Sequence, residues 1–419
     1  MPYYRRVGEL PPKRHTQFRQ PDGSLYAEEL MGQEGFSSDS SLLYHRFLPT
    51  AIVAAEEYDP PAWTRAANRP LKPRHFQTHK LDSSGADPIL GRQHLMANDD
   101  CRISYVTADQ PSPLYRNAIG DECVYIEAGG AIIESTFGVL EAGAGDYVVI
   151  PTSVIHRIVP TGGTPLRTLV IEATGHIGPP KRYLSVRGQF LESSPYCERD
   201  LRGPADPLVV EASDVEVYVQ HRSRGAGPTG TAWTKFTYAN HPFDVVGWDG
   251  CLYPWAFSIH DFEPITGRVH QPPPVHQTFE GPNFVICSFV PRKVDYHPLS
   301  IPIPYNHHNV DSDEMLFYTG GNYEARRGSG IEQGSISLHP SGFTHGPQPG
   351  AVERAIGVEF FDELAVMVDT FRPLDLCEPA LAVEDAGYAW TWARRSGPPA
   401  SADREPAAAA DSEPDTSTG

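Results

Sequence analysis

The chain lacks any apolar run of about 18 residues, the length a membrane helix needs. Its start, MPYYRRVGELPPKRHTQF, holds no apolar stretch of signal-peptide length, and no CxxC pair occurs anywhere. The first two absences predict a protein with neither a spanning helix nor a leader. The six cysteines, Cys101, Cys123, Cys197, Cys251, Cys287 and Cys377, are scattered, as expected of reduced packing thiols in a cytoplasm. Positive charge is scarce. Lys and Arg number 34 against 53 Asp and Glu, a net charge of −19. Such a surface argues against nucleic acid and anionic membranes as partners.

Turn formers are abundant, with 41 prolines and 37 glycines, which favours an all-β chain with few helices. At 419 residues the chain outgrows a single core, so two packed units are expected. Residues 1–45 read as a polar arm. Strand-like runs follow over 46–195, the first unit. Pro204, Pro207, Gly225, Gly227 and Pro228 mark 196–230 as a connection, and 231–395 as the second unit. Apolar residues at Leu364, Val366, Met367 and Phe371 make 361–371 the best helix candidate. From 396 to 419 the chain is Ser, Pro, Ala and acid, too poor in bulky apolar residues to offset the entropy of ordering, and reads as a disordered tail.

An internal repeat organises these units. Gly145, Pro151 and His156 follow the form G-x5-P-x4-H, and so do Gly334, Pro340 and His345. Upstream, Glu122 precedes Gly129 by seven residues, as Glu314 precedes Gly321. The chain is therefore a duplication, and the pattern resembles the two motifs of the cupin superfamily. That resemblance implies duplicated double-stranded β-helix (jelly-roll) barrels with a metal at the barrel mouth. The copies differ at one place. His307 and His308 precede Glu314 by seven and six residues, whereas Tyr115 and Arg116 precede Glu122. The first copy lacks an imidazole and is expected to bind no metal, leaving Glu122 and His156 with structural roles.

In the second copy, alternation at Met315/Phe317 and Ile336/Leu338 predicts two strands that bring a His and a Glu toward a second His. Two imidazoles and a carboxylate with the opposite side open form the facial set of non-haem Fe(II) oxygenases. Glu314 and His345 are two members of that set. The six-residue spacing favours His308 as the third, with neighbouring His307 as the alternative ligand or as a group steering substrate. His270 and His276, in GRVHQPPPVHQTFEG, are candidates to accept a phenol proton. Tyr323, beside a Gly-Gly-Asn turn, is either a core aromatic or a substrate contact, and Arg326 and Arg327 are either a solvated pair or a balance for an acidic substrate.

PFDVVGWDG (242–250), HQPPP (270–274), NFVICSFVPR (283–292), PYNHHNV…E (304–314), NYEAR (322–326) and SLHPSGFTHGP (337–347) resemble, in this order, signature segments of the homogentisate 1,2-dioxygenase family. SLLYHRFLPTAI (41–52) and RGQFLESSP (187–195) are also similar. The chain departs in reading HHNVDSDE, where the family usually has an HRN-type start and an approach to the Glu one residue shorter. The resemblance implies Fe(II) on His308, Glu314 and His345, with His270 as acid/base and Tyr323 at the substrate carboxylate. It further implies a small aromatic acid and O2 as partners, and a homo-oligomer built from trimers. The expected reaction is ring cleavage of homogentisate, or of a close hydroxylated phenyl carboxylate such as gentisate, in aromatic amino-acid catabolism. The rival readings are a manganese or zinc cupin isomerase or hydrolase, and a non-enzymatic binding cupin.

Overall fold

The computed structural model describes residues 3–81, 85–223, 230–266 and 273–393. The expected tail, 396–419, lies outside them, as does His270. Among the described residues the chain is built from strands. Its only α-helices are two single turns, Ala351–Ala355 and Glu378–Ala382, and no helix is long and apolar enough to cross a membrane.

Two barrel units are present, and the repeat locates their centres. In the first, Glu122–Ala128 lies between Asp146–Ile150 and Leu166–Ala173, antiparallel to both. In the second, Asp313–Gly321 lies in the same way between Ser335–His339 and Glu363–Thr370. The cross-strand partners correspond one for one. Glu122 faces Ile150 and Glu172; Glu314 faces His339 and Asp369. Both centres end at a glycine in the left-handed region, Gly129 and Gly321, each with φ of 79°. A Cβ on Gly321 would sit 2.2 Å from the Asp362 carbonyl oxygen, so the repeated glycine answers both a backbone angle and a close approach.

The units exchange strands, which moves the expected boundaries. Val215–Arg222 and Thr231–Tyr238 pair with each other, and Val215–Arg222 runs parallel to Leu114–Asn117 of the first unit. Trp255–Ser258 joins Asp146–Ile150. Most of 215–258, expected to be a connection and the start of the second unit, therefore completes the first. Gly225, Gly227 and Pro228 of the expected connection lie outside the described residues. In return Arg74–Gln77 adds an edge to the second unit's sheet, and Asp375–Cys377 adds to the first's. The barrels share one apolar core, where Tyr105 and Tyr125 meet Phe317 edge-on at ring distances of 6.0 and 6.4 Å.

The helix expected over 361–371 is instead the strand Glu363–Thr370, central in its sheet between Phe284–Phe289 and Asp313–Gly321. Ala365, Val366, Met367 and Val368 are all fully buried, because both faces of this strand are covered. A strand covered on both sides loses its alternation and imitates helical spacing.

The N-terminal arm is a sheet. Arg5–Gly8, Val245–Gly250, Ser40–His45 and Ala27–Gly32 pair in that order. His45, 2% exposed, lies between Asp244 (2.6 Å) and Glu29 (2.9 Å), tying arm to body. Burial alone would lower its pKa, but hydrogen bonds to the two carboxylates raise it to about 9. A proton held more tightly in the folded state stabilises fully below the unfolded value of about 6.5 and is lost as pH rises through 9. Thermal stability of the wild type should therefore fall between pH 6.5 and 9 by more than that of His45→Gln. Parallel melting curves for the two proteins across that range would refute the assignment.

Candidate metal centre

The centre lies where the strand Asp313–Gly321 begins. His307 and His345 form an isolated antiparallel bridge, with His307 N–H donating to the His345 carbonyl (2.8 Å) and His345 N–H donating back (2.9 Å). Their rings stand 4.3 Å apart. The Nε2 atoms reach toward Glu314, at 3.8 Å from His307 and 3.5 Å from His345. These three residues form a group whose donor atoms all lie within 4.8 Å of one another.

The tautomers are set by the backbone. His307 Nδ1 faces the Tyr305 carbonyl at 3.0 Å, and His345 Nδ1 faces the Phe343 carbonyl at 3.3 Å. A carbonyl only accepts, so each Nδ1 carries the hydrogen and each Nε2 keeps its lone pair. Both Nε2 atoms are buried and have no hydrogen-bond partner. Two such lone pairs beside an anionic carboxylate form a donor set for a divalent cation, and no thiolate takes part.

His308, the favoured ligand on spacing, is not in this group. It is exposed, and its Nε2 accepts a hydrogen bond from the Gly342 N–H at 2.9 Å. Adjacent residues in extended chain point to opposite sides, so once the bridge turns His307 inward His308 turns out. The ligand candidate is His307, seven residues before the carboxylate.

Glu314 is 4% exposed. Burial would raise its carboxyl, but hydrogen bonding at the surrounding imidazoles, with His339 Nδ1–H donating at 2.9 Å, holds it well below the usual range. His339 carried no role in the sequence. It lies directly across the strand pair, with Nδ1 2.9 Å from Glu314 Oε1 and its ring stacked on His345 at 4.3 Å. Burial and the Arg326 guanidinium push its pKa down to about 3, so it is neutral. The signal available in the sequence was its place, immediately before Pro340 of the repeated motif.

A cavity of about 250 Å³ opens beside the trio, lined by His307, Glu314, Phe289, Tyr305, Arg292 and Arg326. Arg326 is 8% exposed rather than solvated. It donates to the Gly346 carbonyl (2.6 Å) and the Tyr318 hydroxyl (3.2 Å), and makes no ion pair among the described residues. Arg292, also unpredicted, pairs with Glu363 at 3.1 Å. Arg327 is exposed and lies 3.6 Å from Glu324. Tyr323 does not line the cavity; its ring packs edge-on against Tyr318 at 4.8 Å in a small apolar cluster, so the core-aromatic reading fits its place. His276 is 1% exposed and stacks on Phe289 at 4.4 Å, one layer behind the cavity wall.

The first barrel repeats this layout with other groups. Tyr115 occupies the place of His307 and bridges to His156 as His307 bridges to His345. Glu122 accepts from Tyr115 (3.0 Å), Asn117 (2.9 Å) and Arg92 (2.9 Å). A guanidinium supplies the positive charge there.

Residues 263–395 match the family described as "Homogentisate 1,2-dioxygenase C-terminal". Over 400 residues the chain is 39% identical to a protein of Saccharolobus solfataricus named "putative dioxygenase", covering 94% of this chain and 99% of that one. It is 27% identical over 420 residues to a homogentisate 1,2-dioxygenase of Rhodopseudomonas palustris, covering 92% and 90% of the two chains.

Proposed function

Because the chain belongs to the homogentisate 1,2-dioxygenase family, we propose that it holds one ferrous ion on His307, Glu314 and His345 and opens the ring of homogentisate, or of a close hydroxylated phenyl carboxylate such as gentisate, with O2. The observation that carries the metal assignment is the pair of buried, unpartnered Nε2 atoms converging on a carboxylate. Charge supports it. Glu122 of the first barrel meets Arg92, whereas its counterpart Glu314 forms no ion pair with arginine or lysine among the described residues. A divalent cation would restore the balance.

When bound, a ferrous ion on two imidazoles and one carboxylate supplies a Lewis acid with open positions for an aromatic acid and dioxygen. The protein's own groups do the rest. Phe289 offers an apolar face to the ring. Arg326, buried and without a carboxylate partner, faces the acid group of the substrate. His270 takes the phenol proton, with His276 further along the same segment behind Phe289. The net reaction breaks the ring bond between the hydroxyl-bearing and side-chain-bearing carbons and the bond of O2, and leaves one oxygen atom on each of the two carbons. A homo-oligomer and a cytoplasmic location belong to the same proposal.

The test is oxygen uptake with homogentisate and ferrous iron, followed at the ultraviolet band of the opened product. Stoichiometric uptake supports the proposal. Uptake with neither homogentisate nor gentisate removes it, and activity with manganese or zinc in the absence of oxygen would favour an isomerase or hydrolase. For Arg326→Gln, loss of one charge-assisted contact of about 1.5–3 kcal/mol predicts a KM raised about 10- to 100-fold. The same variant should show no preference for the acid over its uncharged amide, a preference the wild type should have. Retention of that preference would dismiss Arg326 as the anion site.

A further inference from the structure

We infer that residues 385–392 form a clasp that sets the metal affinity of the site, with Tyr388 a positioning residue acting through His339 on Glu314. The inference rests on the reading of His307, Glu314 and His345 as ligands.

Tyr388 is fully buried, its hydroxyl 3.0 Å from His339 Nε2. His339 Nδ1 lies 2.9 Å from Glu314 Oε1. An ionised carboxylate can only accept, so Nδ1 carries the hydrogen, Nε2 is the acceptor, and the Tyr388 O–H donates. The order is therefore Tyr388 O–H to His339 Nε2, then His339 Nδ1–H to Glu314 Oε1. The carboxylate and the tyrosine hydroxyl favour the same tautomer from opposite sides of the ring; without the hydroxyl the imidazole loses its second anchor and its Nδ1–H is held less firmly against the carboxylate. Outer partners that fix a ligand's orientation in this way usually contribute 10- to 100-fold to affinity.

The clasp touches the site at a second place. Trp392 Nε1 donates to the Gly346 carbonyl at 3.1 Å, the same carbonyl that accepts from Arg326, one residue after His345. The Tyr388 and Trp392 rings meet edge-on at 5.1 Å, so the two anchors move together. Asp385 fastens the start of the clasp, its N–H donating to the His75 carbonyl at 2.8 Å on the strand beside Ser335–His339. Tyr388 is not among the residues lining the cavity, which is why it positions rather than reacts.

The experiment uses the full chain and cobaltous ion, titrated against a chelator and read by its visible absorption. Tyr388→Phe keeps the buried ring and removes the donor; it should weaken cobalt binding about 10- to 100-fold, while the melting temperature of the metal-free protein stays nearly unchanged. In a His339→Ala background the same substitution should have no further effect, since its route has been removed. If Tyr388→Phe does not fold, Trp392→Phe, which removes the bond to Gly346 and trims the ring contact with Tyr388, should weaken binding several-fold. Wild-type affinity in a folded Tyr388→Phe, or in Trp392→Phe when that variant takes its place, overturns the inference. Additive losses with His339→Ala overturn the route through His339. Failure of the wild type to bind cobalt overturns the ligand assignment together with the inference.

Discussion

His307→Ala should lose metal binding and oxygen uptake by at least about 10³-fold, about 4 kcal/mol, while His308→Ala should stay within about twofold of the wild type. The contrast follows from geometry. The His307 ring lies 4.3 Å from His345 and presents an unpartnered Nε2 toward Glu314. His308 is exposed and accepts one hydrogen bond from the Gly342 backbone. Losing an imidazole from the trio leaves one nitrogen and one carboxylate, too few to hold an ion at the cavity. Losing His308 removes a surface contact whose donor water can satisfy. Metal content per chain and initial rates, measured together on the two variants, decide the matter. Activity lost with His308 and kept with His307 would reverse the assignment.

Arg92→Leu should cost about 3–5 kcal/mol of stability, the usual effect of removing one partner from a buried ion pair. Arg92 donates to Glu122 at 2.9 Å and lies 3.6 Å from Glu172; all three side chains are at most 3% exposed. Burial disfavours the Arg92 charge, but the two carboxylates outweigh that and raise its pKa. Burial likewise works against ionised Glu172, yet Arg102 and Arg92 bring it down to about 2. Take Arg92 away and Glu122 is left facing a tyrosine and an asparagine with no cation of its own. Arg92→Leu combined with Glu122→Gln should recover part of the loss, because the uncompensated charge is gone. Denaturation midpoints for the single and double variants measure this. A single variant as stable as the wild type would show that Glu122 needs no counter-charge, and would weaken the parallel with Glu314.

Much of this was legible in the sequence because the duplication is written in residues with strong geometric demands. Glu122 and Glu314, their following glycines, and the Pro-to-His spacing correspond in the structure strand for strand. Glu314 and His345 fell at their places for the same reason. What was not legible depended on contacts across the chain. Spacing cannot distinguish His307 from His308, since neighbours on an extended segment point opposite ways and only the bridge to His345 fixes the phase. Glu363–Thr370 looked helical because both of its faces are covered. The exchange of Arg74–Gln77 for Asp375–Cys377 between barrels leaves no local mark. Arg92 and Tyr388 lie far from the motifs in sequence, and each matters only through what the fold sets beside it.

The most direct test is anomalous diffraction at the iron edge from crystals grown anaerobically with ferrous iron. One peak per chain is expected, within bonding distance of His307 Nε2, His345 Nε2 and a carboxylate oxygen of Glu314, with nothing between Glu122 and His156. A peak bound through His308, a peak in the first barrel, or no peak at all would contradict the account.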